Sequence, residues 1–431
     1  MSRTGSRVRD RREPRNLSCG DSVSHGSARP HPSRPDDPGA LPMTRFTSRR
    51  DFMKTASLAT AAVGAASLTG PLLGSALAQP GFRGLRVLVL GGTGQTGPHL
   101  VRELMARGHT VTLFNRGNRS AELFPDVECI VGDRALDEPG GLDALKAEVE
   151  GGRTWDVGID IWPHIPKIVE NTGVLLQDAV DHFMFVSSLS AYASHAIVGA
   201  DETAPLGSAP DADETEFSGE LFGPFKAECE NRVRRLYPTN HTIFRPCLII
   251  GPRDFSFRGV HWPVRVRRGG EVLAPGDGST PVQVIDGRDL AAFEALCMEK
   301  RPVGAFNVAG PHPQNPLTMG RLLRTCRGVS GSDARFVWAD AEFLTGQEVG
   351  AWMDMPCWVP TEGEYAGFGS NSNARAVAAG LAFRPLSTTL RDTLAWYDGL
   401  DAERRESISQ RAGLSAAREQ EVLAAWRAAR G

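Results

Sequence analysis

This sequence predicts an α/β fold built on a parallel sheet, and three observations carry the prediction. Short apolar runs rich in β-branched residues recur along the chain at helix-sized intervals. The first of them runs straight into a glycine-rich turn that opens an amphipathic helix. The chain has 431 residues, 41% of them hydrophobic and 23% charged, which is ample material for a large core in an ordinary soluble protein.

Residues 1–42 hold eight Arg and five acids and almost no large apolar groups, so they are expected to be disordered. A start codon assigned upstream of Met43 is the alternative. Ser48-Arg49-Arg50-Asp51-Phe52-Met53-Lys54 is followed by an uncharged stretch to Ala78, ending in Ala76-Leu77-Ala78. This resembles a bacterial twin-arginine signal over 43–78. It implies the twin-arginine export machinery as a partner and a periplasmic or secreted location. The stretch is mostly Ala, Gly, Ser and Thr, a poor membrane span, so contact with the membrane is expected only through an uncleaved signal. The net charge is −3, and residues 1–78 contribute +6, leaving the body at −9. An acidic body argues against nucleic-acid binding. The seven Cys are scattered without metal-ligand spacing, so they read as buried thiols and no metal site is expected.

Leu85 to Leu90 reads as a buried parallel strand. It leads into Gly91-Gly92-Thr93-Gly94-Gln95-Thr96-Gly97, and Pro98 then opens a helix with Leu100, Val101, Leu104 and Met105 at helical spacing. Thr110 to Phe114 is the next strand. Gly91 permits a tight turn, Gly94 lets backbone approach a pyrophosphate, and Gly97 allows close helix packing. Thr93, Gln95 and Thr96 complete the expected cofactor loop. The second strand ends at Asn115-Arg116 rather than at Asp or Glu. An Arg there, helped by Arg119, can pair with a 2′-phosphate, which favours NADP over NAD. Solvated loop charges are the alternative. Cys129 to Gly132 is a third strand, and Asp133 after it either accepts from an adenine amino group or caps the next segment.

Further strands follow at Asp156–Ile161 and Phe183–Val186, the latter running into Ser187-Ser188-Leu189-Ser190-Ala191-Tyr192. Phe222-Gly223-Pro224-Phe225-Lys226, Thr242-Ile243-Phe244-Arg245-Pro246 with Gly251-Pro252, Val284 to Leu290 and Phe306 to Gly310 come after. In this order, over roughly 84–400, they resemble the extended short-chain dehydrogenase/reductase family, the NAD(P)-dependent epimerase/dehydratase group. The resemblance implies a Rossmann-type doubly wound parallel sheet over 79–252. It also implies a smaller interleaved C-terminal substrate subdomain over 253–400, with 281–311 returning to the sheet, and a helical tail at 401–431. A homodimer is left open.

Members of that family use a Ser, a Tyr as general acid or base, and a Lys four residues later that lowers the Tyr pKa and bonds the nicotinamide ribose. Ser188 and Lys226 match the Ser and the Lys. The chain has only five Lys against 43 Arg, so an ammonium at 226 suggests chemistry, with an exposed helical Lys as the bland reading. The Tyr position holds Phe222, and none of the four Tyr has Lys four residues on. His164, Tyr192 and Tyr365 are the substitutes for the proton relay. After Gly276-Asp277-Gly278 there is no Arg of the kind that holds a nucleotide-sugar diphosphate, although Arg245, Arg253, Arg267 and Arg288 lie nearby in sequence. Two readings follow. One is an NADP-dependent oxidoreductase acting on a small carbonyl or alcohol. The other is a non-catalytic NADP-binding sensor or scaffold on the same fold.

Overall fold

The first strand, β1 (Arg86–Leu90), sends Val87 and Val89 to one face and Leu88 and Leu90 to the other, and all four are fully buried. A strand apolar on both sides needs cover on both sides, which a helix-flanked parallel sheet supplies. The computed structural model describes residues 84–430 apart from Asp137, Trp162 and Glu214 and has this architecture. The export signal and the residues before it lie outside the described residues.

The other strands are β2 (Thr110–Asn115), β3 (Glu128–Val131), β4 (Val157–Asp160), β5 (Phe183–Val186) and β6 (His241–Pro246). They continue with β7 (Leu248–Ile250), β8 (Glu271–Pro275), β9 (Val284–Asp286), β10 (Gly304–Val308) and β11 (Arg335–Ala339). The helices begin with α1 (Gly97–Ala106), α2 (Ser120–Leu123), α3 (Asp143–Glu150), α4 (Pro166–Leu176) and α5 (Phe222–Leu236). Next come α6 (His261–Arg267), α7 (Gly287–Lys300), α8 (Met319–Ser330) and α9 (Ala341–Gly346). The last four are α10 (Ala374–Ala379), α11 (Leu386–Asp398), α12 (Ala402–Ser409) and α13 (Ala416–Arg430).

The central sheet has seven strands in the order β10-β6-β5-β4-β1-β2-β3, all paired in parallel. Val87 stands opposite Val111 and Val157, and Val89 opposite Leu113 and Ile159. The chain works outward from β1 to β3 and then, on the other side, from β4 towards β10. The order reverses between β1 and β4, and the crevice at their carboxyl ends is where such sheets bind ligands. Helices α1 and α7 cover one face and α4 and α5 the other. On α1 the stripe is Gly97, Pro98, Leu100, Val101 and Leu104. Met105 was expected on the same stripe but is 45% exposed, because one residue beyond Leu104 turns the helix about 100° away from the sheet.

A second core gathers Trp262, Val272, Leu273, Leu323, Leu390, Val422, Leu423 and Trp426 around the two-stranded pairs β11-β8 and β7-β9. Segment 281–311 supplies β9, α7 and β10, and β10 pairs with β6 at the edge of the main sheet. Asp286 caps α7 through the Arg288 amide and also accepts from Thr389 Oγ1 at 2.7 Å, while Arg384 pairs with Asp289 at 2.7 Å. These bonds pin the start of α7 to the stretch around α11. Residues 401–430 pack as α12 and α13. Glu419, buried on α13, accepts from the Leu273 amide at 3.0 Å and from the Arg265 guanidinium, which fastens α13 to β8. All six described cysteines carry free thiols.

Candidate functional site at the carboxyl ends of β1, β4 and β5

The glycine turn follows β1 at the reversal point. Gly91 and Gly92 have φ of +113° and +91°, a region that favours glycine. A Cβ on Gly97 would meet the Gly92 backbone at 2.5 Å, so only glycine lets α1 start this close to the loop. A Cβ on Gly94 would meet nothing within 4 Å, which leaves that side of the loop open. An open backbone turn leading into a helix N-terminus fits the pyrophosphate of a dinucleotide. Gln95 Nε2 donates to the Ile249 carbonyl at 3.3 Å, and His99 Nε2 lies 3.0 Å from the Pro252 carbonyl oxygen. Segment 249–253 thus straps the loop and the first turn of α1.

After β2, the Asn115 amide is occupied at both ends. Its Nδ2 donates to the Gly91 carbonyl at 2.7 Å, and its Oδ1 accepts from the Gly117 amide and Ser120 Oγ. Asn115 therefore fastens the glycine turn to β2. Arg116 is 70% exposed on its side chain, with Nε 3.9 Å from Asp133 Oδ2. Arg119 Nη1 donates to the Thr93 carbonyl at 3.5 Å. Asp133 Oδ1 accepts from the Ala135 amide at 3.1 Å, the capping alternative.

Ser188 and Lys226 come together on the wall of one cavity of about 1170 Å³. Ser188 sits just past β5, where its Oγ accepts from the Ser190 amide and lies 3.2 Å from Ser190 Oγ. Lys226, on the second turn of α5, is 2% exposed and donates to the Val186 carbonyl at 2.8 Å. Burial pushes its pKa down to about 8, against the pull of neighbouring acids including Asp160 and Glu230. Its Nζ lies 5.0 Å from the Phe185 ring centre and 5.9 Å from that of Phe222. Phe222 opens α5 and also lines the cavity.

The three substitutes for the missing Tyr fare differently. Tyr192 is 4% exposed; its hydroxyl donates to Asn307 Oδ1 at 2.7 Å and accepts from Arg245 Nη1 at 3.0 Å. Burial holds its pKa above the usual phenol value, so this hydroxyl is committed to the buried network. His164 packs against Phe217, tilted by 43° at 4.2 Å between ring centres, and lies 6.2 Å from Phe222. Burial and then the Lys226 charge keep it neutral by lowering its pKa, and its Nδ1 is buried with no partner among the described residues. Tyr365 lines the cavity and is half exposed.

Part of the cavity wall is apolar and aromatic, formed by Phe217, Trp352, Met353, Val359, Tyr365 and Phe368. Among the described lining residues, Lys226, Arg258 and Glu220 carry charge, and the Arg258 guanidinium lies 5.1 Å over Trp352. No motif pointed directly to Arg258, Phe368 or His195, which also lines the cavity beside Tyr365. Two Trp, one Tyr and one Phe within 352–368 were the available signal. Of the arginines left open by sequence, Arg245 pairs with Glu230, Arg267 with Asp398 and Arg288 with Asp286 and Asp392. Only Arg253 of the four reaches the glycine loop, donating to the Gly94 carbonyl at 3.2 Å.

This geometry defines a Rossmann-type α/β protein with a glycine-rich turn beside a largely apolar cavity. Residues 87–141, which run from β1 past β3, match the NAD dependent epimerase/dehydratase family. The chain is 29% identical over 232 residues to 2-alkyl-3-oxoalkanoate reductase of Stenotrophomonas maltophilia, covering 49% of this chain and 66% of that protein's length. Among solved structures it shares its fold with UDP-glucose 4-epimerase from Thermotoga maritima with UDP-glucose, at 16% identity and a TM-score of 0.52. That match covers 73% of this chain and 98% of the epimerase. The Bordetella bronchiseptica enzyme WbmG in complex with NAD and UDP matches at 16% identity and a TM-score of 0.53, covering 78% of this chain and 99% of WbmG.

Proposed function

We propose that this chain is an NAD(P)-dependent oxidoreductase of the epimerase/dehydratase type, acting on a carbonyl or alcohol carried by a largely apolar small molecule. The observation that carries the reading is one cavity lined by Gln95 and Thr96, by Ser188 and Lys226, and by the aromatic wall. The glycine turn, the open side of Gly94 and the N-terminus of α1 would hold the dinucleotide. When bound, that cofactor supplies or takes up a hydride. Ser188 Oγ would hold the substrate oxygen, and the Ser188–Ser190 hydroxyl pair would move the proton that Phe222 cannot carry. Lys226, turned from the Val186 carbonyl, would bond the nicotinamide ribose. The aromatic wall excludes water and holds the apolar part of the substrate. The reductase relative, named for an alkylated oxo acid, supports such a substrate. The scarcity of charge in the cavity argues against a nucleotide sugar.

NADP is the proposed cofactor, because β2 ends without a carboxylate and is followed by Arg116 and Arg119. The protein would work outside the cytoplasm after export on residues 43–78. The intact mass of exported protein, beginning near Gln79, tests this.

The second reading, a non-catalytic NADP-binding protein, is favoured by Phe222 and by the committed Tyr192 hydroxyl. One experiment separates the two: NADPH and NADH are incubated with the protein and a panel of apolar aldehydes, ketones and oxo acids. Turnover above the uncatalysed rate supports the enzyme, and tight binding without turnover supports the binder. Failure to bind either dinucleotide rejects both.

A further inference from the structure

Two arginines from distant stretches of the chain meet on the glycine loop, and two more stand near one of them. Arg119 bonds the Thr93 carbonyl at 3.5 Å and Arg253 bonds the Gly94 carbonyl at 3.2 Å. Two guanidiniums from opposite halves of the chain thus land on neighbouring carbonyls of one turn. Arg102 on α1 and Arg404 on α12 stand close enough to repel Arg253, and Glu122 is the acid that offsets them. Arg253 and Arg404 lie over one ring, that of Phe255, at 5.3 and 4.8 Å from its centre, Arg102 donates to the Pro98 carbonyl at 3.3 Å, and among the described residues no carboxylate pairs with any of the four.

Arg253 is held there at some cost. Its φ of +72° lies in the left-handed region, which non-glycine residues seldom adopt. Its Nε is buried with no hydrogen-bond partner among the described residues. Burial, then the charges of Arg119 and Arg102, push its pKa down to about 10. Strain and unpaired charge persist where the surrounding structure holds them, and they concentrate at functional sites. The contacts of Gln95 with Ile249 and of His99 with Pro252 hold the strap that carries Arg253.

A cluster of unpaired guanidiniums attracts a multiply charged anion. The pyrophosphate would be served by backbone amides at the start of α1. The arginines gather instead at Thr93 and Gly94, beside the segment after β2 where the adenine ribose of a dinucleotide lies. We infer that Arg253 and Arg119 together form the site for the 2′-phosphate of NADP, with the second half of the chain reaching across to supply Arg253. The inference rests on the cofactor reading above and adds to it a phosphate reader outside the βαβ unit.

Calorimetric titration of the full chain with NADP, NAD and adenosine 2′,5′-bisphosphate tests this. Arg253→Met should weaken NADP and the bisphosphate by about tenfold or more while NAD changes by less than about twofold. Arg119→Met should behave alike, and Arg253→Lys should lose less because it keeps the charge. Added salt should weaken NADP more than NAD in the wild type, and Arg253→Met should shrink that difference. Equal losses for NAD and NADP would overturn the inference, since they would put the arginines on the pyrophosphate or in a purely structural role. Wild-type protein that binds NAD and NADP equally well also sinks it, while leaving the cofactor reading intact. Wild-type protein that binds neither removes both. If Arg253→Met does not fold, judged by its melting curve, Arg253→Lys and Arg119→Met carry the same test.

Discussion

Replacing Phe222 by Tyr adds one oxygen on the wall of the cavity, one helical turn from Lys226. The ring centre lies 5.9 Å from Lys226 Nζ. With a new oxygen about 6 Å from the ammonium and an effective dielectric of about 20, phenolate and ammonium attract by about 3 kcal/mol. That is about two pKa units, enough to bring a phenol from about 10 to about 8. Lys226 itself titrates at about 8, so the two groups share their protons and the titration belongs to the pair. The assay is ultraviolet difference titration of Phe222→Tyr against wild type. Tyr192 and Tyr237 stay silent below the ordinary phenol range, because burial raises both. In the double variant with Lys226→Met, the new phenol should return to about 10. Positioned acids contribute about 10²–10⁴ in rate, so NADPH-dependent carbonyl reduction should rise within that range if Phe222 stands at the acid position. A phenol that titrates at about 10 with or without Lys226, and a rate unchanged from wild type, would refute the placement of both residues beside the reacting atoms.

The glycine loop offers a paired contrast. Gly97→Ala forces a Cβ against the Gly92 backbone and should cost about 1–3 kcal/mol in denaturant unfolding as well as cofactor affinity, whereas Gly94→Val should leave the melting temperature nearly unchanged and weaken both dinucleotides. Glu294 on α7 is 1% exposed, with both carboxylate oxygens lacking partners among the described residues, and burial raises its pKa from 4.5 to about 8. The folded state therefore holds this proton more tightly than the unfolded chain, so the associated stability is complete below pH 4.5 and is lost as pH rises towards 8. The loss is roughly 5 kcal/mol, and Glu294→Leu should flatten that pH dependence in urea titrations. Arg245 and Glu230 form a buried pair through two hydrogen bonds of 2.9 and 2.7 Å, and Arg234 also bonds Glu230 at 2.7 Å, so Arg245→Leu should lower stability by about 3 kcal/mol by leaving the buried Glu230 charge to Arg234 alone. An unfolding midpoint close to wild type would contradict this.

What the sequence disclosed was local. The run from Leu85 to Phe114 announces strand, turn, helix and strand because each needs only its own neighbours and one periodicity. Lys226 stood out because this chain otherwise uses Arg. The features that stayed hidden depend on contacts across long stretches of chain. Arg253 lies 159 residues from the loop carbonyl it bonds, and its Gly-Pro-Arg context says nothing about direction. Tyr192 reads as a free aromatic beside the candidate Ser188, yet Asn307, 115 residues on, accepts its hydrogen bond. The stretch after residue 400 reads as an Ala-, Arg- and Glu-rich tail, because that composition masks the few apolar side chains that enter a core. Met105 shows the limit of periodicity itself, since apolar spacing at a helix's last turn does not guarantee a surface to pack on.

The placement of α13 bears on how the chain assembles as it is made. Every strand of the central sheet has been synthesised by Val308, and so has the strap at 249–253. The second core waits for Val422, Leu423 and Trp426, more than 100 residues later. At about 5–20 residues per second, that delay is roughly 5–25 seconds. During it Trp262, Val272 and Leu273 lack their closing partner, while the glycine loop already has its bonds to Asn115, Ile249 and Arg253. The nucleotide half can therefore mature first, and a ligand gathered there early would stabilise the nascent chain through the interval when its apolar surface is most exposed.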